Sequence, residues 1–292
     1  MSQPEDGIRV GTPPPDGRSE PEEWAHSRRE ESAPNVPAEP AQIGPAGRFV
    51  GVILSPTATF ADINRKPTWL IPMIIAIVLG IGFFTFYNWR VKPDWREIAR
   101  QQVEKRAERP GATELTEEQK NAQIEVATKF MSYTPIIAPV AVVVFVPIVY
   151  LFVAGVLALG SLLFQAKATF KKILSIYAWT SCSVGVVSAI VNTAILMTKD
   201  RDTLKGLNPS NFGELVATNL GAILQPASPF IKSFTQSLDI FSFWSIILVS
   251  VGLAAVGGTK KFTKGKAATL VVLAWLCYVL IKSAAASIGI GG

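Results

Sequence analysis

Residues 130–166 read FMSYTPIIAPVAVVVFVPIVYLFVAGVLALGSLLFQA, 37 positions without one Asp, Glu, Lys, Arg or His. A helix rises about 1.5 Å per residue, so roughly 20 apolar residues cross a hydrocarbon core about 30 Å thick. A straight helix of the whole run would overshoot that layer, and Pro135, Pro139 and Pro147 are expected to break or tilt it. Four more runs free of charged side chains lie around it, at 68–89, 173–198, 240–259 and 267–281, the last extended past Lys282 by residues 283–286. Only helices or closed barrels pair their backbone groups within lipid, and the ten-residue alternation of barrel strands is missing. The sequence therefore predicts an all-α membrane protein. Its core is a bundle of five transmembrane helices, over about 68–89, 138–164, 173–198, 240–259 and 267–286, with interfacial helices and a disordered N-terminal tail.

Composition agrees with a chain solvated by lipid. Hydrophobic side chains make up 49% of the 292 residues, too many for an ordinary soluble domain. The formal charge of +6 conceals two opposite parts. Residues 1–47 carry nine carboxylates and four arginines, hence −5; residues 48–292 carry 24 Lys+Arg and 13 Asp+Glu, hence +11. The cations gather beside the apolar runs, which reads as contact with anionic headgroups of a lipid bilayer. A basic stripe with interleaved aromatics on a soluble surface is missing, so no nucleic acid partner is expected. Cys182 and Cys277 both fall in apolar runs and make no disulfide framework.

Two regions follow. Residues 1–47, with nine prolines and no apolar core, read as a disordered acidic tail. The first apolar run is then expected to act as its own insertion signal. Residues 48–292 form the membrane domain. Phe49, Val52, Ile53, Phe60 and Ile63 are spaced for a helical apolar face, and Ser55-Pro56 reads as an N-cap and first helical position. A short helix over about 56–64, lying along the membrane surface, is expected from this pattern.

Between the first two runs, residues 94–130 read as a helical loop. One amphipathic helix is stopped by Pro110-Gly111, and a second opens at a capping box from Thr116 to Gln119. This hairpin is either a partner surface or a linker. The segment 199–239 contains two further amphipathic pieces, one built on Phe212, Leu215, Val216, Leu220 and Ile223, the other on Phe230, Ile231, Phe234 and Leu238. Asp239 stands where it would cap the fourth run. The links 165–172 and 258–266 carry three and four Lys+Arg and no carboxylate, which puts both in the cytoplasm by the positive-inside rule. The N-terminus is then cytoplasmic and the C-terminus outside. In a bacterium the location would be the plasma (inner) membrane.

Catalytic, cofactor-binding and metal sites are not expected. Chemistry within a bilayer needs ionisable groups there, and no run carries one near its centre. The sole histidine, His26, lies in the tail. Lys282 is expected to snorkel to the interface. Both basic links precede a run with an Ala-Trp pair, Ala178-Trp179 and Ala274-Trp275, a faint hint of a repeat. The third run advertises packing: Ser181, Gly185 and Ala189 recur every four residues, a small-residue stripe that lets helices approach, and Asn192 a turn further is able to donate across a helix interface. The seam is either internal or that of a homo-oligomer.

Phe49, Gly51, Leu54, Ser55, Pro56, Thr59, Phe60 and Ile63, followed by residues 67–72 (PTWLIP), carry a resemblance to the prokaryotic branch of the Yip (Ypt-interacting protein) domain family. So do Asn208-Pro209, Asn219 to Gly221, Ser228 to Ile231 and Ser237 to Trp244. The resemblance covers about 48–288 and implies five membrane helices with a cytoplasmic N-terminus. Eukaryotic relatives are associated with membrane traffic and with prenylated Rab-type GTPases. Their Asp-Leu-Tyr-Gly-Pro motif is absent here, which counts against carrying GTPase binding over. The reading that follows is a multi-pass integral membrane protein, not an enzyme, that organises protein or lipid partners in the membrane. The alternative is a small-molecule or lipid permease.

Overall fold

A computed structural model describes residues 43–108, 114–200, 204, 218–259 and 261–288. The chain divides into two units, Met1–Glu39 and Pro40–Gly292, and every described residue belongs to the second. The tail expected over 1–47 therefore lies outside the described residues up to position 42. Its last residues, from Pro45, are already helical, so the folded part begins earlier than Arg48.

Eleven α-helices and no strand occur among the described residues: α1 Pro45–Leu54, α2 Pro56–Arg65, α3 Leu70–Val91, α4 Trp95–Ala107, α5 Glu117–Ser132, α6 Thr134–Leu163, α7 Phe170–Thr198, α8 Leu220–Leu224, α9 Pro229–Ser237, α10 Ile240–Val256 and α11 Lys264–Ser287. Local chemistry sets many of the ends. Pro56 and Pro229 stand at the first helical position, where a missing N–H costs nothing. Asp94 accepts from the N–H groups of Arg96 and Glu97 to open α4. Thr116 and Gln119 form the capping box that opens α5. After α6, Gln165 turns left-handed at φ 61° and Ala166 N–H donates back to the Ser161 carbonyl at 2.9 Å, the Schellman closure.

Four helices, α3, α6, α7 and α11, are long and apolar enough to cross a membrane. The fifth apolar helix, α10, has 17 residues, about 25 Å of rise, the lower limit for a crossing. It stops at Val256, short of the expected 259, because Gly258 adopts φ 67° and turns the chain out. Nor do Pro139 and Pro147 break the second run, which is one helix of 30 residues. Helix α6 packs against α3, α7 and α11, and such neighbours let a membrane helix hold a proline without interruption.

The outside of this bundle is apolar. Phe145 is 61% exposed, Phe152 70% and Leu163 85%, all along α6. Helix α9 is turned inside out: Ser233, Thr235 and Ser237 are buried while Ile231 faces outward. Both patterns suit a molecule surrounded by hydrocarbon and neither suits one in water.

The bundle has two distinct ends. At the first, the N-terminal helices α1 and α2 fold back on each other and pack against α7 and α10, burying Val52, Phe60 and Ile63 with Ile176, Trp179, Leu248 and Val256. The apolar face expected to lie on the membrane surface is therefore covered by protein. Asn64 reaches the Ala255 carbonyl at 3.4 Å. The two basic links join here: Lys167 N–H donates to the Gly257 carbonyl at 2.9 Å, and Thr259 Oγ1 to the Gln165 carbonyl at 3.2 Å. At the far end, Tyr87 and Val91 of α3 pack on Leu196 of α7, and Arg90 Nη2 donates to the Lys199 carbonyl at 2.6 Å. Helices α4 and α5 pair with each other there. Tyr133, between α5 and α6, keeps helical angles (φ −84°, ψ −7°). Helix α6 therefore follows α5 after this single turn residue, whose N–H donates to the Phe130 carbonyl at 3.2 Å.

Candidate functional site

Helix α7 carries the stripe singled out in the sequence, and the four residues do share a surface. Ser181, Gly185, Ala189 and Asn192 all line a cleft of about 260 Å³ between α7 and α3, whose side contributes Ala76, Leu79, Gly80 and Phe83. A Cβ added at Gly185 would meet nothing within 4 Å. Within one chain the glycine thus borders open space. Asn192 Nδ2 donates to Ser188 Oγ at 3.2 Å, one turn back on the same helix rather than across an interface. Other glycines are closely packed. A Cβ at Gly252 would strike the Ile176 side chain, and one at Gly160 the Leu270 side chain.

A second cavity, of about 310 Å³, opens on the far-end side of the same stretch of α7. Ser188 and Asn192 line it as well, so the two cavities meet at these residues. Its other walls are unlike the first. Thr218, Asn219, Gln236, Ser237, Asp239 and Lys282 are polar, with Trp275 and Tyr278 as an aromatic side.

The polar groups are held by identifiable bonds. Asp239 Oδ1 accepts from the N–H groups of Phe241 and Ser242 at 2.8 and 3.3 Å, so the carboxylate is the N-cap of α10, as expected. Its Oδ2 accepts from Thr218 Oγ1 at 2.6 Å. Asn219 caps α8 through the Ala222 N–H at 2.8 Å, and an isolated bridge pairs Asn219 with Asp239. Lys282 does not simply reach away from the bundle. Its Nζ lies 3.3 Å from Ser237 Oγ, on the last turn of α9, and borders the cavity. Trp275 packs on Phe243 with ring centroids 6.0 Å apart.

Sequence reasoning did not single out Gln236 or Tyr278, and met Asn219 only within the motif that carries the family resemblance. The available signal was placement: Ser188 and Asn192 sit one turn apart on α7, while Asp239 and Lys282 flank apolar runs at the same end. Of the second amphipathic piece, α9 is observed; residues 212–217 of the first lie outside the described residues.

Comparison with known proteins gives a consistent picture. No solved structure matches the chain. It is 26% identical over 213 residues to "Membrane protein YknW" of Bacillus subtilis (strain 168), covering 72% of this chain and 79% of that protein. The Yip1 domain profile matches residues 50–284, from within α1 nearly to the end of α11. With five apolar helices inside the matched region, this chain belongs to the Yip1 domain family.

Proposed function

We propose that this protein is a non-enzymatic organiser of protein or lipid partners in the membrane, and that the α4–α5 hairpin is where a protein partner docks. The observation that carries this reading is the pair of exposed apolar side chains, Val126 and Phe130, on the charged helix α5. The hairpin lies at the far end, where α4 and α5 pack on each other and neither packs broadly on a span. Helix α4 buries Ile98, Ala99 and Val103, whereas Val126 and Phe130 of α5 are 71% and 70% exposed. Val126 and Phe130 stand four residues apart on one face of a charged helix, and exposed apolar side chains rimmed by polar ones mark an interaction surface.

The non-enzymatic reading is supported by the composition of the apolar runs, which carry no Asp, Glu, Lys, Arg or His near their centres. Orientation is part of the proposal. The basic links and the α1–α2 hairpin gather at one end, with Lys66, Lys167, Lys171, Lys261, Lys264 and Lys266 exposed. That end is assigned to the cytoplasm, the far end and the C-terminus to the outside.

Crosslinking in native membranes, followed by identification of the attached protein, tests the docking surface. A defined partner is expected to co-purify with the full chain and to be lost from the Val126→Glu/Phe130→Glu protein. Retention of the same partner by that variant would overturn the assignment. The cleft at Gly185 supports a second reading, a small-molecule or lipid permease. Flux into liposomes that is abolished by Gly185→Leu would favour it over the organiser.

A further inference from the structure

We propose that the two cavities meeting at Ser188 and Asn192 form one binding site for an acyl-chain amphiphile with an anionic headgroup, the head against Lys282 and the chain in the cleft between α3 and α7. This deepens the lipid half of the function above and rests on that reading only for its membrane setting.

The division of polarity carries the inference. One cavity is walled chiefly by Ala76, Leu79, Gly80, Phe83, Gly185 and Ala189, with Ser181, Ser188 and Asn192 as its polar lining and no charged group among the described residues. The other holds Lys282 among amides and hydroxyls. Their volumes, about 260 and 310 Å³, together fall in the range of roughly 300–1,000 Å³ typical of small-molecule sites. The order along the bundle is that of a lipid in its own leaflet. The polar cavity lies beside the start of α10 and the last turns of α11, near the far end. The apolar cleft lies beside the middle of α3 and α7.

The sign of the headgroup follows from the hydrogen bonds. Asp239 is the carboxylate in the wall, and both of its oxygens already accept bonds, Oδ1 from two backbone N–H groups and Oδ2 from Thr218. Lys282 has three N–H donors and, among the described residues, one acceptor, Ser237 Oγ. A carboxylate or phosphate would take the remaining donors in charge-assisted hydrogen bonds. Gln236 and Asn219 stand beside it as further polar contacts. The tail would fill the space that a glycine at 185 leaves open.

The test uses the purified full-length protein in dodecyl maltoside, titrated with cis-parinaric acid and read by energy transfer from tryptophan, since Trp275 is in the cavity wall. Saturable transfer is expected. Lys282→Gln should weaken binding of the acid about tenfold by removing a charge-assisted hydrogen bond, while the methyl ester of the probe binds both proteins alike. Gly185→Leu should weaken acid and ester together, with Ala189→Leu as the second variant if the first is not helical and monodisperse. Displacement by oleic acid alone assigns a free fatty acid, and by lysophosphatidic acid alone a lipid phosphate. Displacement by both assigns the shared anionic chemistry. The proposal is overturned by transfer that never saturates, by a Lys282→Gln effect equal for acid and ester, or by lysophosphatidylcholine displacing the probe as readily as the anionic competitors.

Discussion

The Arg48 guanidinium, almost sealed from solvent, donates from Nε to Asp62 Oδ2 at 2.8 Å and from Nη1 to the Lys66 carbonyl at 2.9 Å and Thr68 Oγ1 at 2.7 Å. Its Nη2 lies 2.7 Å from the same Asp62 oxygen. Thr68 Oγ1 in turn accepts from Trp179 Nε1 at 3.2 Å, tying α7 to the pair. Deleting one member of such a pair strands the other charge, at a cost of about 3–5 kcal/mol. Arg48→Met should therefore lower the thermal midpoint in detergent sharply, and Arg48→Met/Asp62→Leu should regain most of the loss. Equal midpoints for the single variant and the wild type would show that the pair does not hold the hairpin. Arg48 was legible as the approximate start of folding, but its partner was not. A contact fourteen residues apart exists only once the chain turns back at Ser55. Glycines were ambiguous for the same reason. Gly185 and Gly252 look alike in apolar sequence, yet a methyl at 252 meets Ile176 and lies 3.3 Å from Phe60 Cδ1. Gly252→Ala should cost about 1–3 kcal/mol by overpacking, whereas Gly185→Ala leaves the midpoint unchanged.

Helix ends were the elements most open to sequence reading, because a cap is decided by neighbours in the chain. The Thr116–Gln119 box and the Asp239 cap are both present. The second matters more, since α10 is the shortest of the five helices assigned as spans and its first turn also anchors the segment before it: Ile240 N–H donates to the Thr218 carbonyl at 3.2 Å and Leu220 N–H to the Leu238 carbonyl at 3.1 Å. Asp239→Ala should cost about 0.5–2 kcal/mol and speed hydrogen exchange at the Phe241 and Ser242 amides, with Asp239→Asn milder in both. Exchange that is unchanged at those two amides would mean that the backbone bonds alone fix the turn. Prolines were less legible than caps. The three in the second run read as breaks or tilts, and α6 starts beside Pro135 but passes Pro139 and Pro147 unbroken, because sequence displays the lost N–H but not the helices packed alongside. The apolar face of α1 and α2 misled similarly. Periodicity reveals that Val52, Phe60 and Ile63 share a side, not whether lipid or α7 and α10 will cover it.

At the scale of the whole molecule, the medium decides the architecture. A helix such as α6, with large apolar side chains on most of its circumference, is stable only where water is absent, and α9 keeps its serines inward for the same reason. Five apolar helices joined alternately at opposite ends bring both basic links and the N-terminal hairpin to one end, and the α4–α5 hairpin to the other. The short links were legible because three or four lysines without a carboxylate carry a signed preference. The nearly balanced charge of 90–134 carries none. If the links face the cytoplasm, an impermeant maleimide applied to intact cells should modify Glu118→Cys in α5. It should leave Lys261→Cys untouched until the membrane is opened, in a background free of Cys182 and Cys277. Both positions are exposed, so accessibility to the reagent reports the side of the membrane rather than burial in the protein. The reverse labelling would invert the molecule. It would put the basic end outside and the docking hairpin in the cytoplasm, and it would move the proposed amphiphile site to the cytoplasmic leaflet, without altering a single contact within the fold.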